Sequence, residues 1–248
     1  VKKVTKPKIT FVMPVRNCVA FVSQTLRSLI NQSLKDIEVI CFDDASTDGT
    51  YDILKFYESQ DDRIKTYQIT KWAGGAWCRN EGNTCAEADI ICVADAGDIY
   101  HTNKAKITYD YFRKHKDVDL LYHSVNVSNV QRNKQESQIA LDYDFMKYPR
   151  GICHPTVAYK KEVVLRHPYR TDSLHTDQYE ALFIALKLAG YKFAHIDNIL
   201  LTKIDLSHLN TSRDMVAASK QKIKLYEEFG IPVENWLRRR ANESDISE

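Results

Sequence analysis

Four short strand-like runs, Ile9–Val15, Ile37–Phe42, Ile64–Ile69 and Ala88–Ala94, constrain the fold of this chain more than any other feature. Each is too short for a helix and reads as a strand, and the second and fourth have the composition of a buried one. Between them lie segments with helical spacing: Phe21, Val22, Leu26, Leu29 and Ile30, then Ile53, Leu54, Phe56 and Tyr57, then a stretch opened by Gly74-Gly75. The order is β-α-β-α-β-α-β with short connections, which implies a parallel sheet with right-handed crossovers. Pro14 cannot donate to a ladder, so the first strand is expected to end there.

Three of the strands run straight into polar loops, at 14–17, 43–48 and 95–98. In a parallel sheet all three emerge at the carboxyl edge and converge on one crevice, where ligands of open α/β folds collect. In Asp43-Asp44-Ala45-Ser46-Thr47-Asp48-Gly49-Thr50, capping of the next helix accounts for Ser46, Thr47 and Asp48. It accounts less well for Asp43 and Asp44, because adjacent carboxylates repel unless a cation or a donor group uses one of them. The glycine pair before the third helix suits close approach of a phosphate. Asp95 and Asp98 are placed either to hold a divalent metal against a phosphate or, for Asp98, to cap a turn into the next helix.

Composition closes off other classes. Lys and Arg number 35 against 33 Asp and Glu, so there is no nucleic-acid footprint and no acidic disordered chain. The six cysteines, at 18, 41, 78, 85, 92 and 153, form no Cys-x-x-Cys pair; Cys41 and Cys92 lie within apolar runs, and a reducing compartment is expected. No stretch approaches a membrane span, and the first residues lack a signal-peptide core. Residues 1–8 read as a basic lead-in.

The second half is less regular. Lys104–Lys116 reads as a helix with Ile107, Tyr111 and Phe112 inward, Val118–Val127 as a strand, and Ser128–Ser137 as a surface loop or hairpin tip. A short helical piece is expected at Asp142–Tyr148. His154 should be extended because Pro155 follows it, and a lone histidine is as readily structural as functional. Lys160 and Lys161 read as surface charges. Asp177 with Glu180 three residues on is a helix-capping pattern. Lys192–Ile196 and Ile199–Lys203 read as two late strands, and Arg213–Phe229 as an amphipathic helix broken at Gly230-Ile231-Pro232. Trp236–Arg240 is a basic segment, a solvated helix end or a contact for an anionic membrane surface.

Taken in order, Pro14-Val15-Arg16-Asn17, Asp43 to Asp48, Gly74 to Gly82 around Arg79-Asn80, and Asp95-Ala96-Gly97-Asp98 resemble the family 2 glycosyltransferases with the GT-A fold, over roughly residues 8–205. The resemblance implies an α/β, Rossmann-like, mostly parallel sheet with helices on both faces and a smaller acceptor-side subregion. Residues 9–100 would be the nucleotide-sugar half, 101–205 the acceptor-side half, 206–241 C-terminal helices and 242–248 a disordered tail. It implies inverting transfer of a sugar from a nucleoside diphosphate sugar, expected to be a uridine diphosphate sugar, to a hydroxyl of a glycan or lipid-linked saccharide. A cytoplasmic protein is expected, at the inner face of a membrane if the basic segment binds one.

By the same resemblance Pro14, Arg16 and Asn17 lie beside the base, Asp44 accepts the base N–H with Asp43 close by, and Arg79 reaches the base or pyrophosphate. Asp95, Ala96 and Asp98 lie at the diphosphate, with Asp95 and Asp98 holding Mg²⁺ or Mn²⁺. His154, Lys203 and His208 lie on the acceptor and diphosphate side, and Asp177 is the general base. Two positions depart from the family pattern: Arg16 stands where an aromatic residue is usual, and Gly97 where the second aspartate of Asp-x-Asp is usual. The Gly97 departure also admits a weak or inactive nucleotide-sugar binding module. A nucleotidyl transferase would carry a glycine-rich loop after the first strand, which Pro14-Val15-Arg16-Asn17 is not.

Overall fold

The structure, a computed structural model, describes residues 6–129, 134–138, 152–172, 178–205, 215–230 and 238. Strands β1 (Ile9–Val15), β2 (Ile37–Asp44), β3 (Ile64–Ile69) and β4 (Ile90–Val93) alternate with helices α1 (Val22–Ile30), α2 (Thr50–Gln60) and α3 (Gly75–Cys85). A two-residue strand β5 (Ile99–Tyr100), α4 (Lys104–Lys114), β6 (Leu120–Asn129) and β7 (Lys134–Gln138) follow. Then come a 3-10 turn (His154–Thr156), β8 (Ala158–Lys160), α5 (Lys161–Arg166), α6 (Gln178–Leu188), β9 (Phe193–Asp205) and α7 (Met215–Glu228).

The sheet order is β3-β2-β1-β4-β8-β6-β9-β5, with β7 paired to β6. The strands β3, β2, β1 and β4 are mutually parallel, as the alternating pattern requires. Antiparallel pairs enter beyond β4, where β8 returns against both β4 and β6. Alternate residues of each strand face opposite layers. Val12, Ile40, Phe42, Ile91 and Val93 pack toward α3 and α6, while Phe11, Met13, Val39, Cys41 and Cys92 pack toward α1, α2 and α4. Both faces of β1, β2 and β4 are therefore covered, which is why those strands are largely apolar, whereas β3 at the edge of the sheet is mostly half-buried or exposed and carries Lys65, Thr66 and Gln68. All six cysteines are free.

Several boundaries differ from the sequence reading. Strand β1 runs past Pro14 to Val15. Its pairing with β4 stops at Val12↔Val93, so on that side no partner strand needs the missing Pro14 N–H. His154 is not extended: it opens a 3-10 turn closed by Val157 N–H to His154 O (3.0 Å) and Thr156 N–H to Cys153 O (2.9 Å). The extended residue is Cys153, one earlier. The two late strands are one strand, β9, irregular only where its register with β6 shifts. Asp98 precedes strand β5 rather than a helix, and Lys161 starts α5 rather than standing alone on the surface. The helical piece expected at 142–148 lies outside the described residues, as does most of 231–248.

Helix α3 lies very close on β1. A Cβ placed at Gly82 would fall 2.5 Å from Val12 Cγ1.

Candidate active site

The first two strand-end loops are tied together by their own polar side chains. Asn17, in left-handed backbone at φ 46°, accepts the Thr47 N–H on Oδ1 (2.9 Å), and its own N–H donates to Ser46 Oγ (3.0 Å). Asp48 accepts from the Val19 and Thr50 amides (both 3.0 Å), so it ties α1's approach to the first turn of α2. Arg16 Nη1 donates to the carbonyls of Asp44 (2.5 Å) and Ala45 (3.3 Å). Its guanidinium lies 5.8 Å from the ring of half-exposed Trp72. Ala45 also holds a positive φ of 55°, a conformation non-glycine residues adopt at a cost.

Asp43 and Asp44 point to opposite sides of β2. Asp43 is fully buried; Oδ2 accepts from Ser46 N–H and Gln68 Nε2 (both 3.2 Å), and Oδ1 has no hydrogen-bond partner. Asp44 accepts from the Ala73 and Gly74 amides at 2.8 and 2.9 Å, one on each oxygen. Those bonds hold its carboxylate in one orientation and leave each oxygen a second lone pair. They also anchor the glycine-bearing start of α3 to the end of β2. Donors to one carboxylate are what adjacent aspartates need to coexist.

The third loop, Asp95–Asp98, is a tight turn with Asp98 N–H bonded to Asp95 O (3.4 Å). Gly97 is its third residue at φ 102°, a left-handed position that favours glycine. Turn geometry thus gives a local reason for glycine where the family pattern has aspartate. Thr25 of α1 clasps the turn: its Oγ1 accepts the Gly97 N–H and donates to Asp98 O, both at 2.9 Å. Asp95 N–H donates to the Tyr100 hydroxyl (2.8 Å).

Each carboxylate of this loop faces a cation. Asp95 is ion-paired to Arg79 of α3. Burial opposes its ionisation, but Arg79, helped by Lys203 and Lys104, outweighs that and holds the carboxyl below the usual carboxylate range. Asp98 Oδ2 lies 3.6 Å from Lys203 Nζ of β9, is buried, and has no hydrogen-bond partner. Burial pushes the Asp98 carboxyl up to about 7, with Lys203 pulling the other way. Lys203 itself is raised, because Asp98 and Asp95 outweigh its own burial.

His154 is buried beside this loop. Its ring stacks on Tyr179 (centroids 4.9 Å apart, 14° between planes), and Nε2 lies 2.9 Å from the Tyr169 hydroxyl. Burial, with Arg79 nearby, pushes its pKa down to about 3, so it is neutral. Tyr169 is positioned by Asn80, whose amide exchanges two bonds of 2.9 Å with the Tyr169 backbone. The other two expected residues of this side, Asp177 and His208, lie outside the described residues.

No group of three or more His, Cys, Asp and Glu suited to a metal occurs among the described residues. The Oδ2 of Asp98 nevertheless has no hydrogen-bond partner and faces only the Lys203 ammonium at 3.6 Å, on the same loop as the Asp95 carboxylate. A hard cation takes oxygen ligands and accepts water and phosphate for most of them. The pair therefore fits a cation that receives its remaining ligands from a diphosphate.

The structure brings Arg16, Asn17, Asp43, Asp44, Arg79, Asp95, Ala96, Asp98, His154 and Lys203 to one edge of the sheet. Sequence reasoning missed Thr25, Trp72, Tyr100 and Tyr169. A faint signal exists for the first: Thr25, Ser28 and Gln32 recur at helical spacing beside the apolar stripe of α1, and all three bond the backbone of residues 97–105.

Comparison with known proteins gives a consistent picture. The family described as glycosyl transferase family 2 matches residues 10–200. A protein named for teichuronic acid biosynthesis, a glycosyltransferase of Bacillus subtilis, is 33% identical over 99 residues, 40% of this chain and 39% of that protein. The poly(ribitol-phosphate) beta-glucosyltransferase of Bacillus spizizenii is 34% identical over 116 residues, 46% of this chain and 18% of that protein. The chain thus spans well under half the length of either relative. Among solved structures, S. aureus TarS 1-349 in complex with UDP-GlcNAc superposes with a TM-score of 0.72 at 16% identity, covering 95% of this chain and 71% of that one. The mannosyltransferase PcManGT of Pyrobaculum calidifontis, in complex with GDP-Man and Mn²⁺, superposes with a TM-score of 0.66 at 15% identity, covering 97% and 69%. At these identities the structural likeness establishes the GT-A fold.

Proposed function

The chain belongs to glycosyl transferase family 2, and from that premise we propose that it transfers a sugar, with inversion, from a uridine diphosphate sugar to a hydroxyl of a glycan or lipid-linked saccharide. The observation that carries this reading is the convergence of three strand-end loops, held to one another through Asn17–Thr47, Asp44–Gly74 and Arg79–Asp95. The resulting crevice offers an acceptor for a base N–H at one end and cations with carboxylates at the other.

In this assignment Pro14, Arg16 and Asn17 shape the base pocket, with Asp44 accepting the base N–H and Asp43 buttressing the loop behind it. Trp72, with Arg16 across its face, supplies a flat surface for the base; a guanidinium and an indole both stack on planar rings. Ala96 and the turn around it face the sugar diphosphate. Asp95 and Asp98 would hold Mn²⁺ or Mg²⁺, which supplies positive charge to the diphosphate oxygens when bound. The acceptor hydroxyl attacks the anomeric carbon as Asp177 takes its proton, a positioned general base. The bond from that carbon to the diphosphate breaks, and Arg79 and Lys203 stabilise the departing anion. Neutral His154 and, further along the chain, His208 line the acceptor and diphosphate side.

The relatives named for teichuronic acid and poly(ribitol phosphate) support an acceptor that is a cell-envelope polymer or its lipid-linked precursor. No helix among the described residues is long and apolar enough to cross a membrane. Contact with an anionic membrane would fall to the basic segment at 236–240, of which Arg238 is exposed and paired with Glu227 at 3.3 Å.

Calorimetric titration with uridine, guanosine and adenosine diphosphates, with and without Mn²⁺, tests the reading. Uridine diphosphate is expected to bind most tightly and to gain affinity from Mn²⁺. Binding of none of the three would overturn the donor-site assignment; a preference for guanosine diphosphate would overturn the choice of base alone.

A further inference from the structure

Lys104 stands in the first turn of α4 and is fully buried. Among the described residues no carboxylate lies within ion-pairing distance of it. A buried cation without a counter-ion is costly, and a cation at a helix N-terminus also opposes the helix dipole. Burial pushes its pKa down to about 8.

Its donors are nonetheless satisfied. Nζ donates to Pro155 O at 2.7 Å and lies 3.0 Å from His123 Nε2 and 4.9 Å from the centre of the Tyr100 ring. His123 is buried, and burial with the nearby Lys104 charge drives its pKa well down, so the ring is neutral. Its Nδ1 lies 2.8 Å from Ser124 O, an acceptor only, so Nδ1 carries the proton. Nε2 is then bare and accepts from Lys104. The third direction of the ammonium meets the face of Tyr100, a cation–π contact.

Two of these partners belong to the active-site loops. The Tyr100 hydroxyl accepts the Asp95 N–H. Pro155 sits in the same 3-10 turn as His154. We propose that Lys104 is a positioning residue of the donor site, whose ammonium holds the Asp95–Asp98 loop and the His154 turn at a fixed separation so that the diphosphate end of the donor depends on it and the base end does not. This rests on the donor-site reading above. The anchoring is local to the diphosphate end, because among the described residues the side chains of Arg16 and Asp44 make no hydrogen bond to Lys104, His123, Tyr100 or Pro155.

The test compares uridine monophosphate with uridine diphosphate, both with Mn²⁺, by calorimetry on the wild-type chain, Lys104→Met and Tyr100→Phe. Replacing a group that orients a ligand-binding residue typically lowers affinity by about 10- to 100-fold. Lys104→Met is expected to weaken the diphosphate at least about tenfold and the monophosphate less than about twofold. Tyr100→Phe keeps the ring under the ammonium and removes only the acceptor of the Asp95 amide, so it tests that link and is expected to show the same split; if Lys104→Met does not fold, Lys104→Gln, which can still donate to Pro155 O but puts no charge over the Tyr100 ring, decides the matter. Equal weakening of both nucleotides would make Lys104 a general structural residue and overturn the proposal, as would unchanged affinities. If the wild-type chain binds neither nucleotide, the donor-site reading itself falls and the proposal with it.

Discussion

Replacing Gly82 with alanine tests how tightly the helix that carries Arg79 is seated on the sheet. The added methyl would lie 2.5 Å from Val12 Cγ1, about 1 Å inside an ordinary carbon–carbon contact. Val12 cannot step aside easily: it is buried in the middle of β1, paired on one side with Ile40 of β2 and on the other with Val93 of β4. Overpacking of this kind costs about 1–3 kcal/mol. Alanine regains about 1 kcal/mol of helix propensity over glycine. The net is a destabilisation of up to about 2 kcal/mol, or up to about 4–8 °C in Tm for a domain of this size. Thermal unfolding of Gly82→Ala, Val12→Ala and the double variant measures it. In the double variant the methyl has room, so the two changes should couple favourably by about 1 kcal/mol or more. Since α3 also carries Arg79, Gly82→Ala should weaken uridine diphosphate binding, and Val12→Ala should restore part of that loss. A Gly82→Ala chain at or above the wild-type Tm, with additive changes in the double variant, would refute the close-packing argument.

Asp177→Asn should lower turnover at least about 100-fold while leaving uridine diphosphate affinity within about twofold; wild-type turnover would remove Asp177 as the base. Trp72→Ala should weaken uridine mono- and diphosphate alike, by about 1–3 kcal/mol if the indole stacks on the base; unchanged monophosphate affinity would place the base elsewhere. His154 is neutral in the folded chain, with its pKa pushed down to about 3 by burial and Arg79, whereas its ordinary value is 6.5. Below 6.5 the unfolded chain therefore binds the extra proton, and stability falls as pH drops from about 6.5 toward 3. Between pH 6.5 and pH 5 that loss is on the order of 2 kcal/mol. His154→Gln should remove it, and equal pH 7 to pH 5 shifts in urea midpoint for both chains would refute the assignment.

The parallel half of the fold was legible because strand burial and helix spacing are local signals. Ile37–Phe42 reports its own buried environment within six residues. The second half was harder for a physical reason. Strand β8 is three residues long and lies between β4 and β6, which come from distant parts of the chain, so nothing in Ala158–Lys160 itself announces a strand. The sequence divides β9 in two because Asp197 and Asn198 interrupt the apolar run, whereas the register shift against β6 between Ile196 and Ile199 absorbs the interruption without ending the strand.

The site followed the same division. Asp44, Arg79, Asp95 and Asp98 stand where strands or helices begin and end, and the order of those ends is written in the chain. What orients them is not. Thr25, Tyr100, Lys104 and Tyr169 reach the site from other elements, and only Thr25, between Val22 and Leu26, interrupts an apolar pattern in the sequence; Lys104 stands beside buried Ala105 in a polar stretch. A buried polar group persists only where its partners are supplied. Each such group is therefore a statement that a donor or acceptor waits in another part of the fold. Gly97 makes the converse point. As a missing aspartate it looks like a lost ligand; as the third residue of a turn at φ 102°, clasped by Thr25, it keeps Asp95 and Asp98 on one loop facing Arg79 and Lys203. A side chain at that position would have to adopt a strained backbone before it could offer an oxygen.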